Sequence, residues 1–383
     1  MRIAIEAQRL FREKKHGMDV VVLELIKNLQ EIDKVNEYFI LVKPDVDKCI
    51  DETANFKVVE LGGGPYPTWE QIALPRAAKR LKCDILHCTS NTAPEMPGVP
   101  LVLTLHDMIY MEGSFLSLLK GKGTAYQRFG NVYRRHNVPI VVKKSARVIT
   151  VSEYEKERIA DFFKLDPTKL RAVYNGVGEH FKEVTDLQVV EQMRAKYRLP
   201  EHYFFFLGNT VQKKNTPGTL LAYSIFRERT GLDIPLVMLD FDHQDLTSIL
   251  DEIGKPGLIS NIFLTGYVNN AELPAIYSLA DLFLYPSFRE SFGIPILEAQ
   301  ACGTPVITSN TSSMPEVAGD GAFIIDPFKP EEIAQAMITI MQDPKLQLEL
   351  KTKGLANAQR FSWRGMAEKV LGIYHEIGVK SKK

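Results

Sequence analysis

The sequence predicts an α/β protein with two doubly wound, Rossmann-like domains. Short apolar runs bounded by Gly, Pro, Asn and Asp alternate with segments of helical period along all 383 residues, and this alternation is typical of parallel sheets. The chain is also longer than one hydrophobic core usually organises. Because open parallel sheets bind ligands at the carboxyl ends of their strands, we expect the two domains to face a central cleft.

Two series of apolar runs support this division. In the first domain, residues 1–180, strands are predicted near 2–7, 38–43, 57–61, 84–88, 101–105, 147–151 and 171–174. In the second domain, residues 201–360, they are predicted near 203–207, 236–239, 262–265, 282–285, 306–308 and 322–325. The polar segment 181–200 ends in Leu-Pro and predicts a linker. Residues 361–383 follow as a C-terminal helix that we expect to pack back on the first domain.

Composition excludes several classes of protein. Lys and Arg number 47 and balance 47 Asp and Glu, while 45% hydrophobic and 25% charged residues are ordinary for a globular protein; neither disorder nor nucleic-acid binding is indicated. No apolar run approaches the length of a membrane span, and the early Glu6 does not fit a signal peptide, so a cytoplasmic protein is expected. Four cysteines form no CxxC pair, and we interpret them as reduced packing residues without a metal.

The segment with the most chemical information is ESFGIPILE, residues 290–298, which follows a predicted strand. Pro295 is typical of the first position of a helix, where a missing N–H costs nothing, and Gly303 is typical of a helix end. This places Glu290 in a loop and Glu298 in the first turn of a helix, with both carboxylates beside exposed backbone amides. Carboxylates accept hydrogen bonds from sugar hydroxyls and amides bind phosphate, so a nucleotide sugar fits both. Considered alone, Glu298 is equally typical of an acid that stabilises the positive end of a helix, and Glu290 is equally typical of a solvated loop acid.

This segment and its surroundings, residues 285–306, resemble the donor-site signature of the family 4 retaining glycosyltransferases, which have the GT-B fold. In that family the first glutamate contacts hydroxyls of the transferred sugar, the second holds the ribose, and the amides between them meet sugar and phosphate. Ser291 stands where the family often has glycine. The residues to which the resemblance gives these roles are Glu290, Glu298, Phe292, Gly293 and Ile294.

Weaker motifs follow in the family's order along nearly the whole chain. Residues 207–215 come after the second domain's first predicted strand, where the family places cations on the donor diphosphate. Lys214 matches the family lysine, and a cation there stabilises charge on the departing phosphate. Asn209 stands where the family often has arginine, and Lys213 is a candidate to compensate. The donor-binding residues implied in this segment are Gly208, Asn209, Lys213 and Lys214; the alternative for Lys214 is a surface lysine at a helix start.

Further implied contacts lie in both domains. Gly17 would let phosphate approach the backbone closely, although Asp19 replaces a frequent second glycine; an ordinary turn glycine is the alternative. His106 matches a family histidine beside the reacting sugar, where a neutral imidazole would bond a sugar hydroxyl; a structural histidine is the alternative. Tyr267 and Val268 lie where the family holds the nucleobase, with core packing as the alternative.

The resemblance implies retaining transfer of a hexose, with mannose favoured, from a GDP- or UDP-linked sugar to a glycan or lipid-linked acceptor in polysaccharide biosynthesis. In the family, the acceptor attacks from the face that the nucleotide leaves, so no protein nucleophile, metal or cofactor is required. The implied catalytic residues are Glu290, His106 and Lys214. A GT-B nucleotide-sugar epimerase and a non-catalytic nucleotide-sugar-binding module are the alternatives.

Residues 113–152 form a segment without any acidic residue, in which lysines and arginines alternate with leucines and aromatic residues. Such a pattern is typical of contact with anionic lipid headgroups or with a lipid-diphosphate acceptor. It predicts peripheral contact with the inner face of a membrane. A solvated basic face is the alternative.

Overall fold

The computed structural model describes residues 1–111 and 125–380, and for residues 125–127 and 380 it describes the backbone alone. The chain forms two compact units. The first consists of Met1–Asn175 together with the C-terminal segment that begins at Trp363, and the second is Gly176–Ser362. Each unit is built around its own parallel sheet, as the alternating apolar runs predict.

Within the described residues, seven parallel strands form the sheet of the first unit in the order β3-β2-β1-β4-β5-β6-β7. Their bounds are β1 Arg2–Glu6, β2 Glu37–Val42, β3 Phe56–Glu60, β4 Ile85–Cys88, β5 Leu101–Thr104, β6 Arg147–Thr150 and β7 Leu170–Ala172. Most of these strands are apolar and buried because helices cover both faces of a parallel sheet. The strand order reverses between β1 and β4, which is where open sheets bind ligands.

Helices before and after the second unit in the chain cover this first sheet. They are α1 Gly17–Ile32, α2 Tyr66–Thr68, α3 Leu74–Arg80, α4 Ala125–Lys144, α5 Glu153–Phe163 and the C-terminal α14 Trp363–Lys380. A π-helical turn, Trp69–Ala73, joins α2 to α3. Helix α14 packs beside α1, so the prediction that the C-terminal helix returns to the first domain is confirmed.

The second unit has six described strands in the order β10-β9-β8-β11-β12-β13. They are β8 Phe204–Phe206, β9 Leu236–Met238, β10 Ile262–Leu264, β11 Leu282–Tyr285, β12 Val306–Ser309 and β13 Phe323–Ile325. The α-helices are α6 Leu187–Tyr197, α7 Thr216–Thr230, α8 His243–Glu252, α9 Leu273–Ser278, α10 Ile294–Ala301, α11 Met314–Ala318, α12 Pro330–Gln342 and α13 Pro344–Ala358. Two buried apolar clusters cover the two faces of the sheet.

The segment predicted as a linker, residues 181–200, lies inside the second unit, which begins at Gly176. It contains α6, a helix with no fully buried residue. A surface helix of this kind has the polar composition of a linker, which is why its sequence does not distinguish the two. The units separate instead next to Gly176 and next to Trp363.

A buried polar contact fixes α14 on the first sheet. Tyr374 Oη lies 2.6 Å from His87 Nδ1, and His87 Nε2 lies 2.8 Å from Thr104 Oγ1. Burial and then the neighbouring His106 lower the pKa of His87 to about 3, so the imidazole is neutral at physiological pH. Both ring nitrogens of His87 therefore have a buried partner.

Replacing Tyr374 with phenylalanine is expected to lower the free energy of unfolding of the first unit by about 1–3 kcal/mol, because His87 Nδ1 loses its partner within the core. Urea denaturation measures the change. Tyr267→Phe is the control, since Tyr267 is 75% exposed and its loss of a hydroxyl removes no buried bond. Equal unfolding midpoints for Tyr374→Phe and the wild type would contradict the prediction.

Candidate active site

Two loops that follow neighbouring strands form the candidate site of the second unit. Strands β8 and β11 pair in parallel, and the strand order reverses between them. Their following loops, which we name the lysine loop (residues 207–215) and the glutamate loop (residues 286–293), therefore meet at the carboxyl edge of the sheet. Phe288 N–H donates to Lys213 O at 2.8 Å and joins the two loops. Such a reversal opens the crevice in which α/β sheets bind ligands.

The carboxylate of Glu290 lies between two ammonium groups. Lys214 Nζ is 2.8 Å from Glu290 Oε1, and Lys213 Nζ is 3.4 Å from Oε2. Burial on its own raises the pKa of Glu290, but the charges of Lys214 and Lys213 outweigh it, so the pKa lies below its ordinary value. The structure thus brings together three of the predicted site residues and holds Glu290 as an anion.

Tyr285, the last residue of β11, contacts the Lys214 ammonium group through both its hydroxyl and its ring. Lys214 Nζ donates to Tyr285 Oη at 2.9 Å and lies 4.6 Å from the centroid of its ring. Burial lowers the pKa of Lys214, and the opposite charge of Glu290 limits this effect. Tyr285 is not among the predicted site residues. Its place at the end of the strand that precedes the motif is the signal that could have found it.

The lysine loop owes its shape to two asparagines and a glycine. Asn209 Oδ1 accepts the Val211 N–H at 2.9 Å in a local turn, and its side chain is exposed. Asn215 has left-handed backbone geometry, with φ 54°, and its side-chain amide donates to Pro286 O at 3.0 Å. At Gly208 any Cβ would lie 2.4 Å from the ring of Phe206. Asn209 therefore shapes the loop, and Lys213 provides the second cation.

Helix α10 begins directly after the glutamate loop. Gly293 caps it with φ 104°, and a Cβ there would lie 3.2 Å from Ile296 Cδ1. Pro295 is the second residue of the helix, one position later than predicted. The ring of Phe292 is buried edge-to-face against Phe361 at 5.9 Å. Phe292 can therefore meet a ligand only through its backbone, as the resemblance implies for it and for Gly293 and Ile294.

Glu298 has surroundings unlike those of Glu290. It is the fifth residue of α10, one residue further into the helix than predicted, because the helix starts at Ile294. Tyr277 Oη donates to Glu298 Oε2 at 2.9 Å. Burial raises the pKa of Glu298 from 4.5 to about 7, and the Tyr277 hydrogen bond opposes the rise only in part. The two acids of the motif therefore differ in charge near neutral pH.

Side-chain hydroxyls from the last residue of β12 and from the loop that follows it hold the backbone of the glutamate loop. We name residues 309–313 the hydroxyl loop. Ser313 Oγ lies 3.0 Å from the carbonyl oxygens of both Glu290 and Phe292, and Ser312 Oγ accepts the Glu290 N–H at 3.0 Å. Two more bonds run from Ser309 Oγ to Ser287 O at 2.6 Å and from Thr311 Oγ1 to Phe288 O at 2.9 Å. The run SNTSS directly after a strand is the sequence signal for this loop.

The structure separates the two residues predicted near the nucleobase. Tyr267 is 75% exposed, whereas Val268 is packed in the core. Core packing, the alternative stated for these residues, thus describes Val268, and only Tyr267 presents its side chain to solvent. Asp242, the last residue of the sequence Asp240-Phe241-Asp242, caps α8 by accepting the Gln244 and Asp245 N–H groups. Among the described residues, no group of three or more potential ligands is arranged to hold a metal.

In the first unit, Gly17 is the first residue of α1, and the space around it would admit a side chain. Asp19, which replaces a glycine of the family pattern, has a structural role instead. Its carboxylate accepts the His16 N–H at 3.0 Å and pairs with Arg9 Nε at 3.1 Å. An acid at this position stabilises the positive end of the helix.

His106 is buried at the carboxyl end of β5. The main-chain N–H of His106 donates to Asn91 Oδ1 at 2.7 Å, and the ring atom Nε2 lies 2.9 Å from Thr89 O. Because a carbonyl oxygen only accepts, Nε2 carries the proton. Burial lowers the pKa of His106, which keeps the ring neutral. These contacts match the structural alternative for His106, and its contact with a substrate stays a prediction.

Residues 112–124, which include part of the predicted membrane segment, lie outside the described residues. Several described cations of that segment contact the protein itself. Arg135 Nε donates to Tyr110 O at 2.7 Å, Lys144 Nζ donates to Glu95 O at 2.8 Å, and Arg147 pairs with Glu376 at 3.2 Å. No helix within 1–111 or 125–380 has the length and hydropathy to cross a bilayer. Peripheral membrane contact stays a prediction.

Two family models match the chain, one in each half. The model described as glycosyltransferase family 4 matches residues 15–180, and the model described as glycosyl transferases group 1 matches residues 189–356. The chain belongs to glycosyltransferase family 4. The second match includes the lysine, glutamate and hydroxyl loops, so the family predicted from the motif is confirmed.

Known proteins agree with this family 4 assignment. The O-antigen chain mannosyltransferase B of Escherichia coli is 29% identical over 231 residues, which cover 59% of this chain and 60% of the relative. The chain therefore spans less than two thirds of that protein's length. A glycosyltransferase structure from Rickettsia africae ESF-5 has a TM-score of 0.74 at 19% identity, over 98% of both chains. Anabaena Alr3699/HepE in complex with UDP and glucose has a TM-score of 0.71 at 15% identity, over 98% of this chain and 99% of the other. These likenesses confirm the GT-B fold.

Removing the Ser313 hydroxyl is expected to loosen the glutamate loop, because the two carbonyl oxygens lose the one buried O–H donor that they share. In Ser313→Ala, peptides that cover residues 286–293 should exchange amide hydrogens faster, as measured by mass spectrometry. Thr352→Ala is the control, since that hydroxyl bonds Leu348 O at 2.7 Å within α13. Unchanged exchange of the glutamate loop in Ser313→Ala would show that the hydroxyl is dispensable.

The raised pKa of Glu298 gives a pH dependence of stability with a defined sign. Between pH 4.5 and about 7 the folded chain keeps a proton that the unfolded chain has released. Stability therefore falls as the pH rises through this range and levels off above it. Glu298→Gln keeps the Tyr277 bond without the titration, and its advantage over the wild type should be about 1 kcal/mol or more greater at pH 8 than at pH 5. Urea denaturation of both proteins at both pH values measures this difference. The same difference in unfolding free energy at pH 5 and at pH 8 would refute the raised pKa of Glu298.

Proposed function

We propose that this protein is a retaining glycosyltransferase that moves a hexose from a nucleotide sugar to a glycan or lipid-linked acceptor. The observation that carries the proposal is the Glu290 carboxylate within 3.4 Å of two ammonium groups. They lie at the strand reversal of the second sheet, in a chain of family 4. Carboxylate and cations are the groups that recognise, respectively, sugar hydroxyls and a diphosphate.

In this proposal the donor spans the lysine and glutamate loops. Glu290 accepts hydrogen bonds from hydroxyls of the transferred sugar, while Lys214 and Lys213 neutralise the diphosphate. The N–H groups of Phe292, Gly293 and Ile294, which precede or begin α10, bind sugar and phosphate oxygens, because the N-terminus of a helix attracts negatively charged groups. Gly208 allows the lysine loop to bend close to the phosphates.

The nucleoside occupies the neighbouring part of the same edge. Glu298 accepts the ribose hydroxyls beside Tyr277, and the exposed ring of Tyr267 stacks on the base. A donor with guanine and one with uracil can both use these contacts. The mannosyltransferase relative favours mannose as the sugar, while the UDP complex of the Anabaena protein makes UDP the other nucleotide to test.

The proposed reaction uses no covalent intermediate on the protein. The acceptor hydroxyl bonds to the anomeric carbon from the face that the nucleotide leaves, the glycosidic oxygen departs with the diphosphate, and the leaving phosphate takes the acceptor's proton. Lys214, fixed on Tyr285, stabilises the negative charge that develops on that phosphate. His106 serves as a neutral hydrogen-bonding group for a sugar hydroxyl. The proposal needs no metal, and activity that persists in excess chelator is its expected result.

A panel of GDP- and UDP-sugars tests the donor. Thermal shift identifies the nucleotide sugar that stabilises the protein, and nucleotide release is then measured with and without glycan acceptors. The proposal expects release only when an acceptor is present. Formation of an isomeric nucleotide sugar without acceptor would identify an epimerase, and binding without release under any acceptor would identify a binding module.

Loss of either charge at the site is expected to remove most of the turnover. Glu290→Ala and Lys214→Ala should each lower kcat by about 100-fold or more, since each removes an interaction that is aimed at the sugar or at the leaving phosphate. Lys345→Ala, an exposed lysine of the same unit, is the control and should keep full activity. Circular dichroism checks that the variants fold, and near-normal turnover in either would contradict the assigned roles.

A further inference from the structure

Both ammonium groups that the proposed function assigns to the diphosphate are already paired with a carboxylate of the protein. Lys214 Nζ lies 2.8 Å from Glu290 Oε1 and Lys213 Nζ lies 3.4 Å from Oε2. The side chain of Glu290 is 9% exposed and that of Lys214 is 16% exposed. An ion pair so far removed from water is screened little by solvent or salt.

A diphosphate and Glu290 therefore compete for the same cations. Lys214 has three N–H donors, of which one bonds Tyr285 Oη at 2.9 Å. A phosphate oxygen that takes Lys214 and Lys213 weakens their contacts with Glu290. It also leaves a buried carboxylate with fewer partners, and such a group is costly unless other donors replace the lost ones.

The two forms of nucleotide differ in whether they replace these donors. A nucleotide sugar carries hydroxyl groups, which can donate to Glu290 while the diphosphate binds the lysines. A nucleoside diphosphate brings the same negative charge without the sugar, so Glu290 is left without compensation. The geometry therefore penalises the product of the reaction more than its donor substrate.

We propose that Glu290 is a specificity-determining residue that favours nucleotide sugar over nucleoside diphosphate, because it competes with the diphosphate for Lys214 and Lys213. This inference rests on the proposed function and adds a second role for the same carboxylate. Once the sugar has been transferred, Glu290 loses its hydroxyl donors, draws the two ammonium groups back and weakens the hold on the nucleoside diphosphate. The carboxylate thus promotes product release.

Glu290→Gln tests this inference, since glutamine has nearly the same shape but no charge to compete. Binding of UDP and of GDP is measured by titration calorimetry in the wild type and the variant. The nucleoside diphosphate that binds the wild type should bind Glu290→Gln at least about tenfold more tightly, and the nucleotide sugar should gain less. If Glu290→Gln fails to fold, Glu290→Ala removes the same charge and serves in its place.

Glu183→Gln is the matched control for net charge. Glu183 pairs with Lys351 at 2.6 Å in the same unit, and its loss changes the charge of the unit by the same amount without releasing Lys214 or Lys213. Tighter diphosphate binding in Glu290→Gln but not in Glu183→Gln supports the inference. Equal gains in both variants would reduce the effect to net charge and overturn it.

The failure of this inference differs from the failure of the proposed function. A wild type that binds a nucleotide sugar, with a Glu290→Gln variant that binds the diphosphate equally or more weakly, overturns the competition alone. A wild type that binds neither nucleotide sugar nor diphosphate overturns the proposed function and this inference with it.

Discussion

The ion pair between Glu290 and Lys214 depends on the strand order of the second sheet. The two residues are far apart in the sequence, and only the pairing of β8 with β11 places the loops that follow them side by side. Tyr285 at the end of β11 accepts a hydrogen bond from the Lys214 ammonium group. The hydroxyl loop bonds the backbone of Glu290, whose side chain carries the carboxylate. Residues at or after the ends of three neighbouring strands therefore hold one ion pair. The candidate site depends on the order β8-β11-β12 in the sheet.

Much of the fold follows from the sequence because the strands are buried on both faces. A strand such as β11, in which every residue is buried, appears in the sequence as a short, uninterrupted apolar run. The predicted strands therefore agree with the observed ones to within one or two residues. Surface elements leave weaker traces. Helix α6 has no fully buried residue, so its sequence has the composition of a linker although it belongs to the second unit.

In the candidate site, features set by adjacent residues could be predicted from the sequence, whereas features set by contacts between distant residues could not. The loop that precedes α10 could be predicted, because a strand, a glycine and a proline in succession specify a strand–loop–helix connection. The pairing of both lysines with Glu290, the support from Tyr285 and the hydroxyl loop could not, because each depends on which strands lie next to one another. The burial that raises the pKa of Glu298 to about 7, and that removes Val268 from the surface, is likewise a property of the packed unit.

The hydroxyl loop bonds main-chain atoms of the glutamate loop, namely the carbonyl oxygens of Ser287, Phe288, Glu290 and Phe292 and the Glu290 N–H. A substitution within the glutamate loop that respects the space around it therefore keeps these hydrogen bonds. The course of the backbone and the identity of the side chains on it are set by separate parts of the sequence. Under the proposed function, an engineered change of donor preference can accordingly begin with side chains of the glutamate loop, while the serines and the threonine of the hydroxyl loop hold its backbone in place.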